Sequence, residues 1–241
     1  MKEQEFRELL AEIENNSFIS NELVISGKST EYADTKVENA LDDNKAILLS
    51  NVLKTNPNIT IVNLCCNNIG DAGAIALAQA KTIETLDLWD NNIGLQGAIA
   101  LANSQLKTLN LGRNFIFYNN TLDEILELTN AFIDNRTITN LNLENCDIKD
   151  DVAAQIINKN TTITHLNLST NDLSDEALKY IGNNFTLYIV IPTSVDTLAK
   201  IIAFVSSFLF WMLMLIYLLL RLFFLFPRTL PQWLLIGMLP R

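Results

Sequence analysis

Five eleven-residue segments of this chain superimpose without a gap, and their spacing limits the available folds more than any other feature. They are ITIVNLCCNNI from Ile59, IETLDLWDNNI from Ile83, LKTLNLGRNFI from Leu106, ITNLNLENCDI from Ile138 and ITHLNLSTNDL from Ile163. Their starts lie 24, 23, 32 and 25 residues apart. A unit of this length cannot bury an apolar face by itself and must stack on its neighbour, so the period predicts a solenoid. In each segment Leu alternates with polar residues, the period of a short strand with one face inward. The stretch AIALA after Gly73 and again after Gly97 predicts helices whose small residues sit close to the strand layer, with Ile75, Leu77, Ile99 and Leu101 as apolar contacts. Between Leu106 and Ile138 a longer helix, from about Leu122 to Ile133, accounts for the spacing of 32.

The unit L-x-x-L-x-L-x-x-N/C-x-I/L resembles the leucine-rich repeat, and G-x-x-G-A-x-x-L-A resembles its ribonuclease-inhibitor and NLR-type subclass. The resemblance implies an α/β solenoid with a parallel concave sheet and convex helices. It covers residues 56–184 well and sets five units within 56–191. Residues 1–55 are expected to cap the first unit: an amphipathic helix from Lys2 to Ile13, an atypical strand at Leu23, Val24 and Ile25, and a helix from Ala46 to Leu53. A last strand is expected from Leu187 to Ile191.

Residues 192–200 read as a linker and 201–226 as a membrane-spanning helix. Twenty residues from Ile201 carry no charge, and only Ser206 and Ser207 break the apolar run. As a helix they would extend about 30 Å, the thickness of a bilayer's hydrocarbon. Arg221 lies near the end, where its side chain can snorkel to the headgroups. The apolar, basic tail 227–241 is too short to span again, and Trp233 suits the interface. The expected protein is therefore a solenoid plus one C-terminal transmembrane helix.

Charge excludes one large class of function. Residues 1–196 hold all 27 acids and 13 of the 17 Lys and Arg, a balance of −14, the wrong sign for a nucleic-acid footprint. Three cysteines, two of them adjacent, imply no disulfide framework and fit a reducing compartment. They form no C-x-x-C pair or Cys/His cluster, so neither a metal nor a cofactor is expected. Ser26-Gly27-Lys28-Ser29-Thr30 resembles the end of a phosphate-binding loop, but Glu22 stands where the full pattern requires Gly. No nucleophile and base can be paired, so no catalytic residue and no small-molecule substrate are expected.

The concave strand positions carry the functional expectation. They are Ile61, Asn63 and Cys65; Thr85, Asp87 and Trp89; Thr108, Asn110 and Gly112; Asn140, Asn142 and Glu144; and His165, Asn167 and Ser169. Asp90, Arg113 and Asn145 follow at the rim. A tryptophan on a polar sheet suits an interface anchor, or else packs on its own chain. Asp87, Trp89, Asp90, Arg113, Asn142, Glu144 and His165 are the expected protein-binding residues. The recurring Asn67, Asn91, Asn114 and Asn171, with Cys146 in the same slot, are expected to satisfy backbone groups where each strand ends.

The leading expectation is a membrane-anchored module that binds a protein partner without chemistry. Two alternatives stand beside it. Similarity to Ran GTPase-activating proteins implies a GTPase regulator, and the tail could itself act on membranes with the repeats as its address. A lone C-terminal span resembles a tail anchor with cytosolic repeats, whereas Lys200 before it and Arg221, Arg228 and Arg241 after it favour an inside C-terminus. Free cysteines and an acidic start favour cytosolic repeats. Abundant Asn, Ile and Lys would suit an effector that an intracellular bacterium delivers to a host membrane.

Overall fold

Positions three to five of every segment form a three-residue strand whose central side chain is inward. The computed structural model describes residues 1–27, 40–177 and, as backbone, 188–190. All belong to one compact unit, Met1–Pro192. The predicted linker, span and tail lie outside the described residues. So does most of the helix expected after Leu173.

The elements alternate along the chain as α1 (Glu3–Glu14), β1 (Glu22–Val24), α2 (Asp43–Leu53), β2 (Ile61–Asn63), α3 (Asp71–Ala78), β3 (Thr85–Asp87) and α4 (Leu95–Ala102). They continue as β4 (Thr108–Asn110), α5 (Leu122–Asp134), β5 (Asn140–Asn142), α6 (Asp150–Lys159), β6 (His165–Asn167) and β7 (Tyr188–Val190). The strands make one parallel sheet in chain order. In its register Leu23, Val62, Leu86, Leu109, Leu141 and Leu166 are successive partners. All six are buried. A second buried row, Leu64, Leu88, Leu111, Leu143 and Leu168, follows two residues on. Each fully buried leucine contributes about 2 kcal/mol of transfer free energy, so the two rows are the main cohesion between turns.

The N-terminal segment is a turn of the same solenoid. β1 pairs with β2, and pairing continues one residue beyond it, where the Ile25 N–H donates to the Asn63 carbonyl at 2.8 Å. Phe6 and Ile13 of α1 are buried, and Leu9 and Leu10 pack against the same core. α2 begins three residues before the expected Ala46 because Asp42 caps it, accepting the Lys45 N–H at 3.0 Å. Gly27, the glycine of the apparent phosphate loop, has a packing reason. Its N–H donates to the Cys65 carbonyl, and a Cβ there would lie 1.6 Å from the Cys66 oxygen.

The helix contacts differ in part from expectation. Leu77 and Leu101 are buried, but Ile75 is 39% exposed and Ile99 only partly covered. The inward face of these helices is set by Gly73, Ala74 and Leu77, and by Gly97, Ala98 and Leu101. This spacing of one and four residues turns position 75 outward.

Candidate functional site: the concave face and its rim

Where each strand ends, the chain turns through a left-handed residue. Cys66, Asp90, Arg113, Asn145 and Thr170 occupy the same position of successive units, with φ of 58°, 55°, 56°, 50° and 59°. None is glycine, and a non-glycine residue held there costs roughly 1–2 kcal/mol. What holds them is the ladder. The N–H groups of Cys66, Asp90, Arg113 and Asn145 donate to the carbonyls of Trp89, Gly112, Glu144 and Ser169 in the next turn, at 2.7 to 2.9 Å.

The residue after each turn anchors it. The Asn91 amide donates to the carbonyls of Leu64, Leu88 and Trp89, and its oxygen accepts the Ile69 N–H. Asn67, Asn114 and Asn171 repeat the arrangement. The expected ladder therefore exists, and each rung ties one turn to the one before. In the fourth unit the Cys146 thiol donates to the Leu111 carbonyl at 3.3 Å. Burial pushes this thiol up to about 12. The Cys65 thiol is also raised, first by burial and then by Asp87 and Asp90. Both therefore remain protonated at neutral pH, so neither is a thiolate nucleophile.

A second ladder of asparagines lies at strand entry. The Asn135 amide donates to the Ala102 carbonyl and that of Asn160 to the Phe132 carbonyl, both at 2.8 Å. Their oxygens accept the N–H groups of Thr137 and Ile138, and of Thr162 and Ile163. Both side chains are buried. These two N-x-T sequences are thus explained by hydrogen bonding rather than as glycan acceptors.

A third device went unread in the sequence. Asp43 Oδ1 accepts the N–H groups of Gly70 and Gly73, at 2.7 and 2.8 Å. Asp71 Oδ1 does the same for Gly94 and Gly97, at 2.8 and 2.9 Å. A carboxylate at the start of one helix thus caps the start of the next. The series is interrupted at Leu95, which is buried in the equivalent place, and resumes at Asp150, whose Oδ1 accepts the Ser174 N–H at 2.9 Å. The following helix, α5, supplies its own capping box from Thr121 and Glu124. The signal was present: Asp, then a Gly pair one unit later.

On the concave face the residues flanking each central strand side chain are partly covered from β2 to β5, and His165 is exposed. Asp87 and Asn142 have a structural duty as well. Each accepts the N–H two residues on, of Trp89 at 3.0 Å and of Glu144 at 2.9 Å, as do Asn63, Asn110 and Asn167. Trp89 lies against Gly112, where a Cβ would come within 2.7 Å of the indole Cδ1 and 3.3 Å of the Glu144 Cβ. The Arg113 guanidinium sits over the indole, 4.9 Å from its centroid. The fold thus brings Trp89, Arg113 and Glu144 together around Gly112. Asp90 and Arg113 also line a cavity of about 300 Å³ at the rim. His165 stands apart on β6, with its Nδ1 3.0 Å from the Thr164 hydroxyl. No group of three or more His, Cys, Asp or Glu able to hold a metal occurs among the described residues.

Residues 55–78, 79–102 and 159–182 match the family described as Leucine Rich repeat. The two units outside these matches are the one enlarged to 32 residues and the one with Cys146 in the asparagine slot. A comparison with curated protein sequences finds no match. Among solved structures the chain is similar to one titled Leiomodin-1 Actin-Binding Site 2, at 19% identity and a TM-score of 0.42, covering 74% of this chain and 86% of that one. The chain carries leucine-rich repeats.

Proposed function

We propose that the concave face of the solenoid binds a protein partner, without chemistry of its own, and that residues 201–226 anchor the chain in a membrane with the repeats in the cytosol. The observation that carries the binding reading is the held trio at the centre of the sheet. Trp89 is fixed on Gly112 beneath Arg113, so a half-buried aromatic and its stacked cation are held with little side-chain entropy left to lose. Around it the outward strand positions of β1 to β6 include the acids Glu22, Asp87 and Glu144 and no Lys or Arg. That balance favours a partner with a basic surface. The glycine-bearing α3 and α4 support the ribonuclease-inhibitor-like subclass.

The test is comparative cross-linking with mass spectrometry on the full chain in cells. Trp89→Ala should remove at least one protein recovered with the wild type, whereas Leu48→Ala, on an exposed helix position, should remove none. Identical recoveries from the two variants would end the concave-face reading.

The anchor is supported by the apolar run alone. No helix among the described residues is long and apolar enough to cross a membrane. Detergent-phase partitioning should carry the full chain with the detergent and leave a variant with Lys at positions 209, 213 and 216 in the aqueous phase. Added protease should digest the repeats of the intact chain on sealed, cytosol-facing-out membranes. Protection of the repeats there would place them in the lumen and overturn the orientation.

A further inference from the structure

The third unit departs from its neighbours at one outward position. After the ladder asparagine or its substitute, the other units place Asn68, Asn92, Asp147 and Asp172, whereas this unit places Phe115. Ile116 closes the repeat segment, and the chain runs on through Phe117 and Tyr118 before Thr121 caps α5. Ile116 and Phe117 are buried, and they fix the loop to the core. Phe115 and Tyr118 are each 61% exposed, and both line the 300 Å³ cavity. Leu122, at the start of α5, is 82% exposed. Large apolar groups left in water beside a cavity are unusual on a folded surface.

The cavity's charged lining is Asp90, Asp147 and Arg113. Arg113 is stacked on Trp89, and Lys149 pairs with the Asp147 carboxylate. With Asp87 at the end of β3 and Glu144 two residues past β5, the neighbourhood holds four carboxylates and two cations, and is acidic. We propose that this aromatic-flanked cavity is the anchor pocket for a lysine- or arginine-bearing segment of the protein partner. The inference rests on the concave-face reading and names the chemistry of its partner. A cation entering here meets aromatic faces and carboxylates together, the combination that binds ammonium and guanidinium groups. An anionic lipid surface would meet the same carboxylates and be repelled.

The probe is a fluorescein-labelled octapeptide alternating Lys and Arg with Gly and Ser, and a Glu counterpart, added to the full chain in neutral detergent at about 0.15 M salt, where distant attraction is screened. The basic peptide should bind, and the Glu peptide should not. Phe115→Ala with Tyr118→Ala should weaken binding about tenfold, as should Asp90→Asn, while Asp123→Asn on exposed α5 should not change it. Hydroxyl-radical footprinting of the wild type should show Phe115 and Tyr118 protected by the peptide. Equal affinity in wild type and the aromatic double variant, or no binding, would overturn the pocket. So would protection of Phe115 and Tyr118 by an anionic nanodisc without peptide, which would assign the patch to lipid. If Trp89→Ala still removes a cross-linked partner in any of these cases, the concave-face reading survives and only the pocket fails.

Discussion

Asn91→Ala is expected to destabilise the solenoid by about 2–4 kcal/mol. The side chain is 4% exposed. Its amide donates to three carbonyls and its oxygen accepts the Ile69 N–H. Alanine leaves the buried Ile69 N–H without its acceptor, at about 1–3 kcal/mol, and takes one of two donors from each carbonyl. Leu64, Leu88 and Trp89 keep the Asn67 amide, the Asn114 amide and the Cys66 N–H. The loss is large against a total stability of about 5–15 kcal/mol for a domain. It also falls between turns, so it weakens the coupling on which a stacked array depends. Chemical denaturation of the detergent-held full chain, followed by far-ultraviolet circular dichroism, measures it. Cys146→Asn supplies the contrast. It restores the usual residue to the same slot and should change stability by less than about 1.5 kcal/mol. If Asn91→Ala shifted stability by less than about 0.5 kcal/mol, the ladder would add nothing to the cohesion that the leucine rows supply.

Gly97→Ala is the second large effect, at about 2–4 kcal/mol. A methyl there would lie 2.7 Å from Asp71 Oδ1 and 2.9 Å from the Ala74 and Ile93 side chains, so packed neighbours must move. Asp71→Ala should also cost about 2–3 kcal/mol, because the N–H groups of Gly94 and Gly97 lose their acceptor at a helix N-terminus. The two changes should not add. With the carboxylate gone, the tightest obstacle to the new methyl is gone as well, and the double variant should be less destabilised than the sum by about 1 kcal/mol or more. Strict additivity would mean that Asp71 and Gly97 do not meet as the fold places them.

Much of this was legible before any coordinates. The inward leucines, the parallel strands, the asparagine ladder, the buried Cys146 and the long α5 follow from an eleven-residue pattern and its spacing. The left-handed turns were not legible, because Cys66, Asp90, Arg113, Asn145 and Thr170 share no chemistry. The first four are held by the N–H each donates to the next turn, and local preference is overridden. The aspartate caps were missed because a cap is sought ahead of its own helix, and here it belongs to the helix before. The outward turn of Ile75 is not legible from its apolar character, because Gly73, Ala74 and Leu77 already fill the inner face.

The candidate site divides in the same way. Strand period alone set Asp87, Trp89, Asn142, Glu144 and His165 on the concave face. Only the tertiary structure decided that Trp89 lies on Gly112 beneath Arg113, and that Asp90, Phe115, Tyr118 and Asp147 share one cavity. The reason is the reach of each interaction. A strand's inward and outward sides are fixed by adjacent residues along the chain, so sequence suffices for them. A side chain on the exposed face rests on the turns stacked beside it, some two dozen residues away, and what those turns offer there is no part of the repeating pattern.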